Sequence, residues 1–121
     1  MKSIKLHLAH SVHNHKHSLL LVTVTEKQVC ASSCAVAFLG GYFRKVEGDG
    51  KLIFHAPYMA DSYGGIVCAE KSDAQALKNY YRQMIPLDSA DKLFERTMDY
   101  CSSRDGWTLD QGAANLFGLL K

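Results

Sequence analysis

The amino-acid sequence predicts a small α/β domain: a mostly parallel sheet flanked by helices. Three observations predict it. Ser18 to Thr25 (SLLLVTVT) is a β-branched, nearly continuous apolar run, the pattern of a strand covered on both faces. Strand-like and helix-like segments then alternate along the chain, as a sheet covered by helices requires. A length of 121 residues with 47% hydrophobic side chains suffices for one core and is too little for two.

Each element has a local reason. Residues 3–16 place Ile4, Leu8 and Val12 four apart, with Leu6 and Ala9 nearby, which predicts a first helix from Ser3 to Lys16. The run from Ser18 to Thr25 is the first strand, and Val29 to Ala31 reads as a short second one. Ser32 or Ser33 then stands where a helix begins, since serine is a favoured N-cap, and Cys34 to Leu39 supplies the apolar stretch. Gly40-Gly41 ends or kinks that helix. Glu47-Gly48-Asp49-Gly50 is a turn, and Lys51 to His55 reads as the next strand. After Pro57 comes a loop with Gly64-Gly65. Ala69 to Met84 then carries Ala76, Leu77, Tyr80, Tyr81 and Met84 at helical spacing. Pro86 breaks that helix, and Asp88 or Ser89 caps another lined by Leu93, Phe94, Thr97, Met98 and Cys101. Asp105-Gly106 is a turn, and Leu109 to Phe117 forms a last helix closed by Gly118.

Composition narrows the function classes. Fourteen basic against twelve acidic residues leave a net charge of +2 without a basic patch, so no nucleic-acid partner is expected. The apolar run from Leu19 to Val24 is far short of the ~20 residues of a membrane helix, so no membrane insertion is expected. Met1 to His17 contains no apolar export segment, and the default compartment is the cytoplasm. Cys30, Cys34, Cys68 and Cys101 allow three disulfide connectivities, but nothing in the composition demands one. The spacings lack a paired zinc knuckle, and reduced, mostly buried thiols are the expectation.

Three places can carry chemistry. In Cys30-Ala31-Ser32-Ser33-Cys34 a serine stands between a buried strand and a helix start, held on a sharp turn beside free backbone N–H groups. His55 ends a strand before a proline-initiated loop, a suitable station for a general base. Asp105 lies in a turn. Taken singly, each has an ordinary reading: an N-cap serine, a packed histidine, a turn aspartate.

Taken in order, the strings CASSCAVAFLGGYFRK, KLIFHAPY and SSRDGWTLDQGAANLFGLL resemble the ClpP/crotonase superfamily. Within it they look most like bacterial ClpP-like proteins with a C-x-S-x-C nucleophile segment. The matching positions are Ser32, Gly41, Arg44, His55, Pro57, Asp105, Trp107, Thr108, Ala114, Gly118 and Leu119, within Val29 to Leu119. The resemblance implies a β-β-α superhelix fold and a serine peptidase acting on peptide or protein substrates. Ser32 would be the nucleophile, His55 its base and Asp105 the group orienting the imidazole, with an oxyanion donor from the Ser33 N–H. Ser33 is the alternative nucleophile, and no cofactor is implied.

One departure matters. The family's other oxyanion donor comes from a Gly-Gly loop upstream of the nucleophile, and the thirty-one residues before Ser32 contain no glycine. The resemblance therefore implies a chain lacking the first strands of the fold, with activity weakened or lost. A missing upstream segment would also remove any export signal, which leaves a periplasmic location open. Two further classes follow. One is a non-catalytic ClpP-like assembly module, self-associating into a homo-oligomer through the helical segment from Ala69 to Ser103. The other is a crotonase-type acyl-CoA enzyme, which ranks last because no acidic catalytic pair is present. His7, His10, His13, His15 and His17 cluster upstream, with His10, His13 and His17 on one face if helical. With no carboxylate or cysteine beside them, they predict a polar surface and no metal site.

Overall fold

The structure, a computed structural model, describes residues 4–8, 18–101 and 106–121, with side chains from Leu21 onward. Among the described residues it is a mixed α/β fold of small sheets and four α-helices. Strand β1 (Ile4–Leu8) runs antiparallel to β2 (Ser18–Val24), and β2 runs parallel to β4 (Gly41–Val46). In a second sheet β3 (Val29–Ala31) is parallel to β5 (Lys51–Phe54), which is antiparallel to β8 (Trp107–Leu109). A two-stranded ribbon joins β6 (Tyr58–Ala60) to β7 (Ile66–Cys68). The helices are α1 (Ser33–Phe38), α2 (Gln75–Met84), α3 (Leu87–Met98) and α4 (Gln111–Leu116).

Several expectations need correction. Ile4–Leu8 is a strand within the stretch expected to be a first helix. Its sequence IKLHL alternates at period two as well as repeating at four, and pairing of its full length with β2, from Leu8↔Leu20 to Ile4↔Val24, decides between them. The sheet is not one mostly parallel layer, because the antiparallel partners β1 and β8 border the parallel pairs β2–β4 and β3–β5. Tyr42 to Val46 continues past the glycines as a strand, and the region expected to be a loop around Gly64-Gly65 is the β6–β7 ribbon. Trp107–Leu109 is extended, so the last helix starts later, at Gln111. Asp110 caps it by accepting from the Ala113 N–H at 2.9 Å.

Packing explains these placements. Gly41 lets β4 lie against β2, since a Cβ there would stand 2.5 Å from Val22 Cγ2. The core gathers Val22, Val24, Phe38, Leu39, Leu52, Phe54, Tyr81, Leu93, Phe94, Leu109 and Leu119. Helices α2 and α3 face each other across it, with Arg82 making a paired hydrogen bond to Asp91 at 2.8 and 3.0 Å on the outside. Arg44 on β4 is 2% exposed and donates to the carbonyls of Leu119, Gly41 and Leu39, which satisfies a charged side chain inside the fold.

The cysteines also depart from expectation. Cys30 is paired with Cys34 and Cys68 with Cys101, as two disulfides in place of four reduced thiols. The Cα atoms lie 5.1 and 5.7 Å apart, inside the range a disulfide spans. No helix among the described residues is long and apolar enough to cross a membrane.

Candidate active site

The parallel register of β3 and β5 brings two of the candidate residues to one sheet edge. Ala31, the last residue of β3, stands opposite Ile53, so Ser32 follows β3 at the level of Phe54, the last residue of β5, and His55 comes one residue further on. Ser32 and His55 line a cleft of about 160 Å³ together with Ser33, Val36, Phe54, Pro57 and Leu77. They stand 23 positions apart in sequence, and the fold brings them into one cleft.

Ser32 sits between β3 and α1 with φ 61° and ψ −126°. A side chain in the left-handed region is crowded by its own backbone, so the conformation persists only where the surroundings impose it. Here the Ser32 N–H donates to the Ile53 carbonyl at 3.0 Å, and the Ser32 carbonyl accepts from the Val36 N–H at 3.1 Å. The disulfide from Cys30 to Cys34 closes over the same turn. The Ser32 hydroxyl makes no capping bond to the helix it precedes. The ordinary N-cap role therefore does not occupy it. Ser33 is exposed as the first residue of α1, where backbone N–H groups have no acceptor within the helix.

His55 is half-buried, and its Nδ1 lies 2.8 Å from the Ala56 carbonyl oxygen. A carbonyl only accepts, so this bond requires the proton on Nδ1 and leaves the lone pair on Nε2. Nε2 is buried and has no hydrogen-bond partner among the described residues. The Tyr58 ring lies 5.6 Å away, centroid to centroid. A basic nitrogen enclosed without a partner, in a cleft that also contains a hydroxyl, is suited to accept a proton.

Asp105 lies outside the described residues. Two described residues near its segment pair with the chain neighbours of His55. The Ala56 N–H donates to the Tyr100 carbonyl at 2.6 Å, and Phe54 pairs with Trp107. The histidines His10, His13, His15 and His17 also lie outside. Among the described residues no group of three or more His, Cys, Asp or Glu side chains is placed to hold a metal ion.

Sequence reasoning missed the walls of the cleft. Leu77 reaches it from α2, and Tyr80, one turn further on, donates its hydroxyl to the Val36 carbonyl at 3.1 Å. That bond holds α2 against the helix following Ser32. Burial raises the Tyr80 phenol above its ordinary pKa, and the Arg44 charge opposes this in part. The one available signal is the helical face shared by Leu77, Tyr80 and Tyr81, which in sequence reads simply as core. No family model matches the chain, and no curated protein matches it.

Proposed function

We propose that the chain is a serine hydrolase of the ClpP-like peptidase kind, with Ser32 as nucleophile and His55 as its base. The observation that carries this reading is the cleft shared by an uncapped Ser32, in a left-handed turn, and the unpartnered Nε2 of His55. Ser32 Oγ attacks the carbonyl carbon of a peptide bond while its proton passes to His55 Nε2. The Ser33 N–H donates to the oxygen that becomes negative. His55 then gives the proton to the departing amine, and water repeats the sequence to release the acid and restore the serine. The sequence resemblance assigns the orienting of the imidazole to Asp105; in the structure it is the Ala56 carbonyl that holds the Nδ1–H. The cycle uses no cofactor.

A fluorophosphonate probe tests this directly: Ser32 Oγ bonds to phosphorus, fluoride leaves, and the proton goes to His55. Wild type labels, Ser32→Ala does not, and Ser33→Ala retains labelling. His55→Ala slows it by about 10²–10⁴-fold. Absence of label on wild type, in conditions that label a known serine hydrolase, overturns the reading. Loss of label in Ser33→Ala with retention in Ser32→Ala transfers the role to Ser33.

A second reading is assembly of a homo-oligomer, expected through the segment from Ala69 to Ser103; the observation that favours assembly lies outside that segment. The β6–β7 ribbon exposes Tyr58, Met59, Ile66 and Val67, with Met59 at 74%. Met59 and Val67 stand opposite each other and share one face of the ribbon, and exposed apolar side chains placed together in this way are characteristic of contact sites. Light scattering coupled to size exclusion reads a multimer if this holds, and a strictly monomeric folded chain removes it.

A further inference from the structure

Ser32 is the midpoint of a covalent ring. Cys30 belongs to β3, is fully buried and is fixed by the pairing of Cys30 with Leu52. Cys34 is the second residue of α1 and is half-buried. An extended chain of four residues spans roughly 13 Å, yet these Cα atoms are 5.1 Å apart, so the chain must reverse between them. The reversal is made at Ser32, at φ 61°. Two backbone hydrogen bonds support that conformation, and only the disulfide supports it covalently.

We propose that the Cys30–Cys34 disulfide is the positioning element of the nucleophile, so that the serine is reactive in the oxidised protein and loses reactivity on reduction. The proposal rests on the assignment of Ser32 as nucleophile. Cys30 and Cys34 touch no substrate in this role; they act through the turn they close. A dithiol reductant supplies the chemistry. Its thiolate attacks the more accessible Cys34 Sγ, the Cys30 thiolate leaves, and a mixed disulfide forms. The second thiol of the reductant then displaces Cys34 and closes the oxidised reductant, so two electrons pass to the protein and both cysteines take up protons. Freed of the link, Ser32 can leave the left-handed region, which changes where its Oγ stands in the cleft it shares with His55. The Cys68–Cys101 disulfide closes a separate loop, between β7 and the residues after α3, and serves as an internal control.

The experiment uses the whole chain and compares rates of fluorophosphonate labelling at Ser32 before and after dithiothreitol, with amide exchange over residues 31–36 as an independent readout. A displacement of about 1 Å in a reacting group can cost about 10²-fold, and a slowing of about that size is expected on reduction. Exchange over the turn accelerates in parallel. A Cys30→Ala, Cys34→Ala protein labels at the slow rate with or without reductant. A Cys68→Ala, Cys101→Ala protein keeps the full response, and it tests the same link if the first variant does not fold. Equal labelling of oxidised and reduced wild type overturns the proposal and leaves Ser32 as nucleophile. A response that disappears with Cys68 and Cys101, or unchanged exchange over the turn, also overturns it. If oxidised wild type takes no label, the nucleophile assignment itself fails, and this proposal falls with it.

Discussion

The hydroxyls of Tyr81 and Thr97 meet at 3.1 Å inside the core, joining α2 to α3 where no water reaches either side chain. Each is 0% exposed. Removing one partner leaves a buried polar atom unpaired, which costs more than the bond itself contributes. Thr97→Val is expected to lower stability by about 1–3 kcal/mol, and the double change with Tyr81→Phe by less than the sum of the two singles. Urea unfolding of the four proteins measures the cycle. Additive losses would contradict the coupling.

The same tyrosine sets the alkaline limit. Burial pushes the Tyr81 phenol up to about 12, more than the Thr97 bond lowers it. An unfolded chain releases that proton near pH ~10, while the folded chain keeps it until about 12. The unfolded state therefore binds fewer protons in this window, and stability must fall as pH rises through it. The contribution is fully present below about pH 10 and amounts to about 3 kcal/mol, at roughly 1.4 kcal/mol for each pH unit between the two titrations. Unfolding free energies from pH 8 to 11.5 (approximate limits of the measurement) should decline, and Tyr81→Phe should flatten the decline.

Arg44 holds the end of the described chain in place. Its Nε donates to Leu119 and its Nη1 to Gly41 and Leu39, while its backbone exchanges two hydrogen bonds with Lys121. A lysine has one ammonium and cannot reproduce the fork. Both Arg44→Met and Arg44→Lys are expected to destabilise, by about 3 kcal/mol for methionine, with the lysine recovering only part. Thermal melting distinguishes them. A lysine protein as stable as wild type would show that charge alone matters.

The two disulfides should separate stability from reactivity. Chain-entropy arguments weight a cross-link by the loop it closes. A separation of 33 residues gives Cys68–Cys101 about 4 kcal/mol, and a separation of 4 gives Cys30–Cys34 about 2 kcal/mol. Removing the first pair should therefore lower the melting temperature more than removing the second, in the opposite order to their effects on serine labelling.

Much of the fold is legible where burial and periodicity agree. β2, β3, β5 and α2 fall within segments whose apolar spacing predicts them, while α3 begins at Leu87, ahead of the cap expected at Asp88 or Ser89, and ends at Met98, short of Cys101. Pattern fails where one segment satisfies two periods or hides its burial. Ile4 and Leu8 fit a helix and a strand equally, and only β2 resolves them. β4 escapes notice because Arg44 looks like a surface residue, although its charge is met by three carbonyls inside the fold. The ribbon escapes it because Tyr58, Met59, Ile66 and Val67 lie outside the core, where hydrophobic spacing no longer reports burial.

The site is legible in its residues and not in its geometry. Ser32 and His55 can be named from strand ends, but their meeting depends on the register Ala31↔Ile53, which no local pattern encodes. The disulfides are illegible for a similar reason. Thiol pairing follows from Cα separations, and that of Cys30 and Cys34 depends on the unusual backbone angle at Ser32.

Phe54 belongs to two neighbourhoods at once. Its ring meets Tyr81 edge-on in the core, at 6.2 Å between centroids, and the same residue walls the cleft that contains Ser32 and His55. A protein built this way has no separate scaffold to be improved while the cleft is left alone. Selection for a sturdier interior and selection for a different cleft act on one residue, so at this position heat tolerance and the shape of the cleft change together.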